Sequence, residues 1–293
     1  MAVINKLIGS KAPNLPIGPI EYSQRFQDQF SNVLRLYFNE IDNAFAALFA
    51  GNAGGQYIKF PYGAFTQDGN TALTAGISNT STTPIPVVST TGFASSGFIT
   101  IENEVIEYVG ISPTSFGTTS VTRGVKGTTN TSHVAGTIAC EAAAITPGTP
   151  QAIQLDAADY SNGVYAGSAT ANSLPSSRVY VAYDGLYNMQ FSLQFLNYTN
   201  VDDNVTVWLK KNGTDIPLSA SVEQVSPRHA GVPGASILAL NIFLEMSAGQ
   251  YVELYWFSVT GDTVLSTFPP ITSPVIPAAP AVILTMTFVS ALP

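Results

Sequence analysis

The sequence predicts a mainly β protein, an antiparallel sandwich preceded by an extended arm and one amphipathic helix. Three observations lead there. After Gln56, short segments of alternating apolar and polar residues recur, broken by turn residues at intervals of about ten. A single stretch, Glu21 to about Ala50, carries a helical period instead. Charged residues make up only 10% of the chain against 45% hydrophobic, with 24 Gly and 19 Pro, a balance suited to faces hidden in an assembly.

Residues 1 to 20 hold Pro13, Pro16 and Pro19. Each removes an amide donor and disfavours helix at the residue before it, so an extended arm is expected. In the next segment Tyr22, Phe26, Phe30, Val33, Tyr37, Ile41, Phe45 and Leu48 recur at spacings of three and four, and Leu34, Phe38 and Phe49 widen the stripe. Gln24, Gln27, Asp28, Gln29, Asn39 and Asp42 fall between them, and "GNAGG" supplies a glycine stop. No second strong helix is available to cover this stripe. Phe26, Phe30, Val33, Tyr37 and Ile41 are therefore expected to pack on another subunit, the alternative being that the helix folds back onto its own β domain. Arg25 and Arg35 are too few for a membrane-surface helix.

In "YNMQFSLQF", Tyr187, Met189, Phe191, Leu193 and Phe195 face one side, with Asn188, Gln190, Ser192 and Gln194 on the other. "VTVWLKKNGTDIPL" alternates through Val205, Val207 and Leu209 into Asn212-Gly213, a strong hairpin signal. "SILALNIFLEM" puts Leu238, Leu240, Ile242, Leu244 and Met246 on one face. "GQYVELYWFSV" places Val252, Leu254 and Trp256 opposite Tyr251, Tyr255 and Phe257. A strand apolar on both sides needs cover that a two-layer sandwich does not give it. Tyr251, Tyr255 and Phe257 thus complete the expected subunit interface. "PAVILTMTFVSAL" supplies a terminal strand.

The formal net charge is −8 and no basic cluster occurs, so nucleic acid is not an expected partner. Cys140 is alone, which excludes an intrachain disulfide and a cysteine-rich zinc site, and His133 and His229 are too few for a histidine-rich one. The opening residues contain no continuous hydrophobic region ahead of a cleavage site, so no export signal is expected. "ASILALNIFLEM" and "AVILTMTFVSAL" are too short for membrane helices and read as buried strands, so no membrane insertion is expected.

"FPYGAFTQDGNTAL", "IQLDAADYSNGVYAG", "SRVYVAYDGLYNMQFSLQF", "VTVWLKKNGTDI" and "PAVILTMTFVS", in that order, resemble the jelly-roll domain shared by tumour necrosis factor and complement globular heads, in the form found in tailed-bacteriophage virion proteins. "APNLPIGPIEYSQRFQDQFSNVLRLYFNEIDNAF" resembles the proline arm and helix that open several phage structural proteins. The resemblance implies an anchoring arm and helix over 1–56, a discontinuous jelly roll over 57–76 plus 148–293, and a β module inserted at 77–147. The module reads as a self-contained set of strands at Phe98 to Ile101, Val105 to Ile111, Ser120 to Arg123 and Thr137 to Cys140, similar to small β modules of phage tail and fibre proteins.

Within that module "TRGVKGTTNTSHVAGT" invites a phosphate-loop reading. The phosphate loop requires G-x-x-x-x-G-K-[ST] between a strand and a helix, and here Lys126 precedes Gly127 and another strand follows. A turn joining two strands is expected. Glu102, Glu104 and Glu107 in one hairpin, and Asp202, Asp203 and Asn204 in one loop, form neither the desolvated carboxylate pair of a glycosidase nor a calcium loop of the helix-loop-helix type. They are expected to be solvated turn residues. His229 has no serine elbow to serve, and a loop hydrogen bond is expected of it. The tyrosines around "DYSNG" are a weak carbohydrate-stacking signal.

The resemblance implies a non-enzymatic, homotrimeric virion protein; no cofactor is expected, and no residue is singled out as a metal ligand. It would be a tail fibre or receptor-binding appendage that meets other virion proteins through its N-terminal arm and host surface polysaccharide through its outward domain. Capsid decoration, capsid cement or a head fibre is the alternative, and a polysaccharide depolymerase a weaker one.

Overall fold

The computed structural model describes residues 14–15, 21–49 and 60–291. The chain forms two units, Met1–Lys59 and Phe60–Pro293. In the first, the helix Gln24–Phe49 begins where the periodic stripe begins. Ser23 is its N-cap, its Oγ accepting the Phe26 backbone N–H at 3.3 Å. Phe26 and Phe30, one turn apart, stack with ring centroids at 6.1 Å. Phe26, Phe30, Val33, Tyr37 and Ile41 are half-buried, whereas Tyr22, Leu36 and Phe38 are exposed. Most of the expected arm and the "GNAGG" stop lie outside the described residues.

The second unit is built from antiparallel sheets. One sheet runs through Ala157–Asn162, Tyr62–Gln67, Val282–Ser290 and Gly185–Asn197, and Gly234–Met246 pairs with the last of these. Gly185–Asn197 is its centre. One edge pairs with Gly234–Met246 along all 13 residues, from Gly185 opposite Met246 to Asn197 opposite Gly234. The other edge is shared by Val282–Ser290 and Thr263–Ser266. A second sheet runs through Val164–Ala166, Arg178–Val181, Tyr251–Ser258 and Asp203–Lys211, with Ser221–Val225 against the last of these.

The two sheets share one hydrophobic core. Tyr187, Met189, Phe191, Leu193 and Phe195 from the first meet Val205, Val207, Leu209, Val252, Leu254 and Trp256 from the second. Phe195 stacks on Trp256 with centroids 6.1 Å apart. These are the apolar positions of the period-two pattern, so the side each strand buries follows from its alternation. Asn212 and Gly213 have φ of 50° and 80°, the paired left-handed residues of a tight hairpin turn.

The segment 77–147 is less self-contained than its sequence suggests. Its hairpin Ser96–Ile101/Glu104–Val109 and strand Val121–Val125 do enclose a cluster of their own, with Ile85, Val87, Ile99, Ile101, Ile106 and Phe116. Its last strand, Ile138–Ala144, however, pairs with Asn70–Ala72 and with Thr263–Ser266, so the hydrogen-bonded ladder runs unbroken into the first sheet. A third apolar cluster at this join contains Val105, Leu196, Tyr198 and Val264.

Replacing Phe195 with Ala is expected to cost about 3–5 kcal/mol of unfolding free energy. Gln190→Ala, on the outward face of the same strand, is expected to stay within about 0.5 kcal/mol. Denaturant unfolding of both variants checks this, and equal costs would contradict the assignment of faces.

Candidate functional site

The loop that resembles a phosphate cradle folds around a buried ion pair. Glu104 opens the strand Glu104–Val109 and points inward, fully buried. Arg123, on the paired strand Val121–Val125, donates from Nε to Glu104 Oε1 at 2.6 Å and from Nη2 to Oε2 at 2.7 Å. The rest of its guanidinium donates to the carbonyls of Ser78, Ser81 and Thr131. Glu104 also accepts the backbone N–H groups of Gly124 and Thr131, both at 3.1 Å. His133 sits between two carboxylates, with Nδ1 2.8 Å from Glu102 Oε2 and Nε2 2.9 Å from Glu104 Oε2. Burial pushes the Glu104 carboxyl up, but Arg123, the Thr131 amide and His133 outweigh it and hold it below the usual carboxylate range.

Lys126 is also used internally. Its Nζ donates to the carbonyls of Ile145 at 2.7 Å and Gly261 at 2.9 Å, and burial lowers its pKa against the opposing pull of Asp262, Glu107 and Asp203. Arg123 and Lys126 thus face protein acceptors, and the loop links the 77–147 segment to the sandwich.

Two carboxylates expected in solvent are buried. Besides Glu104, Asp203 accepts both contacts from Ser258 Oγ, at 2.7 and 2.8 Å, and the backbone N–H of Thr263 at 3.0 Å. Each is tolerable inside because its lone pairs are filled. Glu102 and Asp202, their neighbours, are exposed as expected. His229 is exposed in its loop, where its backbone N–H donates to the Val232 carbonyl at 2.9 Å.

A second polar group gathers at the turn after Tyr62–Gln67. Asp156 accepts the backbone N–H groups of Asp68 and Gly69, each at 3.2 Å. Glu141 is buried beside it and is reached by Gln67 Nε2 at 3.3 Å. Burial, then Asp156, raises the Glu141 carboxyl well above its ordinary range, and Asp68 is raised by burial and by repulsion from Asp156 and Asp159. No group of three or more His, Cys, Asp or Glu side chains among the described residues is arranged to hold a metal ion.

The outward face of the second sheet carries aromatic rings under cationic side chains. Arg178 lies 4.6 Å from the Tyr251 ring centroid, and Tyr180 packs beside that ring. Lys210 lies 4.4 Å from the Tyr255 centroid, with Trp208 alongside and the Trp208 indole N–H donating to Asp215 Oδ1 at 2.7 Å. Tyr251 and Tyr255 are half-buried under these groups, and Phe257 is half-buried as well. Much of the cover that their pattern demands comes from neighbouring strands of the same sheet, because long cationic side chains lie flat over aromatic faces. The subunit contact expected at Tyr251, Tyr255 and Phe257 thus falls on a face that its own sheet already covers in part.

The outward face of the first sheet differs. Across Gly185–Asn197, Gly234–Met246 and Val282–Ser290 it presents Leu186, Asn188, Gln190, Ser192, Gln194, Ala239, Asn241, Thr285 and Thr287, and Glu245 is the one ionisable side chain on it. Ile237, Phe243, Ile283 and Val289 on this face are 63%, 58%, 40% and 48% exposed. The Asn188 Oδ1 is buried without a hydrogen-bond partner. The sequence marks the polar residues of this face but not the apolar ones beside them, which come from strands distant in the chain. No protein-family model matches the chain, and no curated protein matches it.

Arg123→Ala leaves Glu104 buried and unpaired and is expected to cost about 3–5 kcal/mol. Because the folded Glu104 carboxyl is depressed, its contribution is present above the unfolded carboxylate range, about pH 4.3, and is lost as acid takes the pH down through the folded value. Unfolding curves of wild type and Arg123→Ala between pH 7 and pH 3 should therefore converge towards the acid end.

Proposed function

We propose that this protein is a non-enzymatic structural component of a tailed-bacteriophage virion: a homotrimeric tail fibre or receptor-binding appendage attached through its N-terminal arm. The sandwich is read as a jelly roll of the tumour necrosis factor and complement-head type. Support for that finer reading comes from the connectivity, in which Tyr62–Gln67 and Val282–Ser290, first and last strands of the second unit, are neighbours in one sheet. The sequence resemblance, spread over most of the chain, supplies the virion context.

The observation that carries the assembly reading is the nearly uncharged outward face of the first sheet. Apolar side chains at Ile237, Phe243, Ile283 and Val289 are solvated in a single chain, and copies meeting around an axis would bury them. At this face Asn and Gln side chains can exchange hydrogen bonds between copies without the desolvation cost of a buried charge. The half-buried helix stripe at Phe26, Phe30, Val33, Tyr37 and Ile41 offers a second surface for the same association as a short bundle. Partners under this reading are two further copies, other virion proteins at the arm, and host surface polysaccharide at the outward end.

Light scattering is expected to give a mass about three times the 30.9 kDa of one chain. The double variant Ile237→Lys/Phe243→Asp is expected to give monomers with an unchanged circular dichroism spectrum, and monomeric wild type would contradict the reading. Wild-type trimer should bind purified host envelope glycan without cleaving it. Binding to capsids in place of glycan would support the decoration role instead.

A further inference from the structure

The Gln67–Asn70 turn gathers oxygen ligands with nothing in the chain to neutralise them. Asp68, Glu141, Asp156 and Asp159 surround it, and among the described residues no Lys, Arg or His pairs with any of the four. Two of the oxygens here are buried and receive no donor: Gln67 Oε1, and Glu141 Oε2, whose neighbour is the Asp156 carboxylate and which can bond it only through a shared proton. The residues that bear them are 2% and 6% exposed. The backbone fixes the geometry, since the Glu141 N–H donates to the Gly69 carbonyl at 2.7 Å and Asp156 holds the amides of Asp68 and Gly69.

Gly69 shows where these oxygens aim. A Cβ placed on it would meet Glu141 Oε2 at 2.8 Å and Asp156 Oδ2 at 3.3 Å. Two carboxylates, one on the strand Ile138–Ala144 and one on the residue before Ala157–Asn162, therefore converge on the side of Gly69 that any other residue would fill. Glycine is what lets both carboxylates come this close to the backbone, and the turn beside them is half-exposed.

We propose that this protein binds a hard divalent cation of the calcium class beside Gly69, ligated by Glu141 Oε2 and Asp156 Oδ2, with the Gln67 side-chain oxygen and water completing the shell. The donor set is all oxygen, which selects calcium, magnesium or manganese over zinc or copper. A proton shared between Glu141 and Asp156 satisfies one of the orphaned oxygens but leaves Gln67 Oε1 and the remaining negative charge unanswered. With two carboxylates and not three, the affinity belongs to the weak class, Kd about 10⁻⁴ to 10⁻³ M. The ion would clamp the seam where Tyr62–Gln67, Ile138–Ala144 and Ala157–Asn162 come together. This inference is independent of the virion reading.

Thermal unfolding of the full chain at pH 7, with chelator or with 10 mM CaCl2, tests it. Wild type is expected to gain about 3–6 °C, and calorimetric titration with CaCl2 should show one site per chain. Glu141→Gln and Asp156→Asn, each verified as folded by circular dichroism, should abolish both signals; if one fails to fold, the other serves alone. No response of wild type to calcium, magnesium or manganese overturns the proposal, and with Glu141→Gln more stable than wild type at pH 8 it identifies a shared proton. A calcium response that survives both substitutions overturns the assigned ligands.

Discussion

The strand Gly185–Asn197 sets the constraint on which the second unit depends. It is hydrogen-bonded along its whole length on one edge and by two strands in succession on the other, so its register cannot shift by one residue without turning the core outward. Its inward residues meet Val207, Leu254 and Trp256 of the opposing sheet, and these contacts fix the distance between the layers. Its outward residues are Leu186, three amides and Ser192, with Leu196 buried at the join to the 77–147 segment, which leaves a face with almost no charge. Core and proposed interface are two sides of the same alternation.

Buried charges hold the places where this regular pattern is interrupted. Glu104 with Arg123 closes the 77–147 segment on itself, and Asp203 ties the start of one strand to Ser258 and Thr263. Lys126 reaches across to carbonyls at Ile145 and Gly261. Each is a satisfied polar centre that specifies one arrangement of loops where hydrophobic contacts alone would permit several. Glu141 beside Asp156 is the exception, a buried carboxyl whose second oxygen receives no donor. That contrast with its satisfied neighbours is why it reads as a binding site and not as another tie.

Local patterns were legible where the chemistry is local. The buried face of Tyr187, Met189, Phe191, Leu193 and Phe195, the left-handed Asn212-Gly213 turn and the single long helix all follow from neighbours in sequence. The solvated reading of Glu104 and Asp203 failed because their partners are distant: Asp203 and Ser258 are 55 residues apart, and nothing near Asp203 marks it as buried. The join of Ile138–Ala144 to the main sheet was illegible for the same reason, since strand pairing is a long-range property that composition does not encode. For Tyr251 and Tyr255 the apolar pattern is visible in the sequence, but the cover supplied by Arg178 and Lys210 depends on cross-strand register. The candidate cation ligands carry no sequence signature, because Gln67, Glu141 and Asp156 come together only when two strands and the segment before a third meet.

The central claim is that copies of this chain meet through the outward face of the Gly185–Asn197 sheet. Single cysteines test it directly, because the native Cys140 is buried with its thiol pushed up to about 12 and stays inert. Asn241→Cys lies on the proposed interface and Gln224→Cys on the exposed part of the other sheet. Under mild oxidation or with a short bis-maleimide, Asn241→Cys is predicted to cross-link between chains and Gln224→Cys to stay uncross-linked. Cross-linking of Gln224→Cys alone, or of neither variant in an assembly proven to be trimeric, would contradict the account.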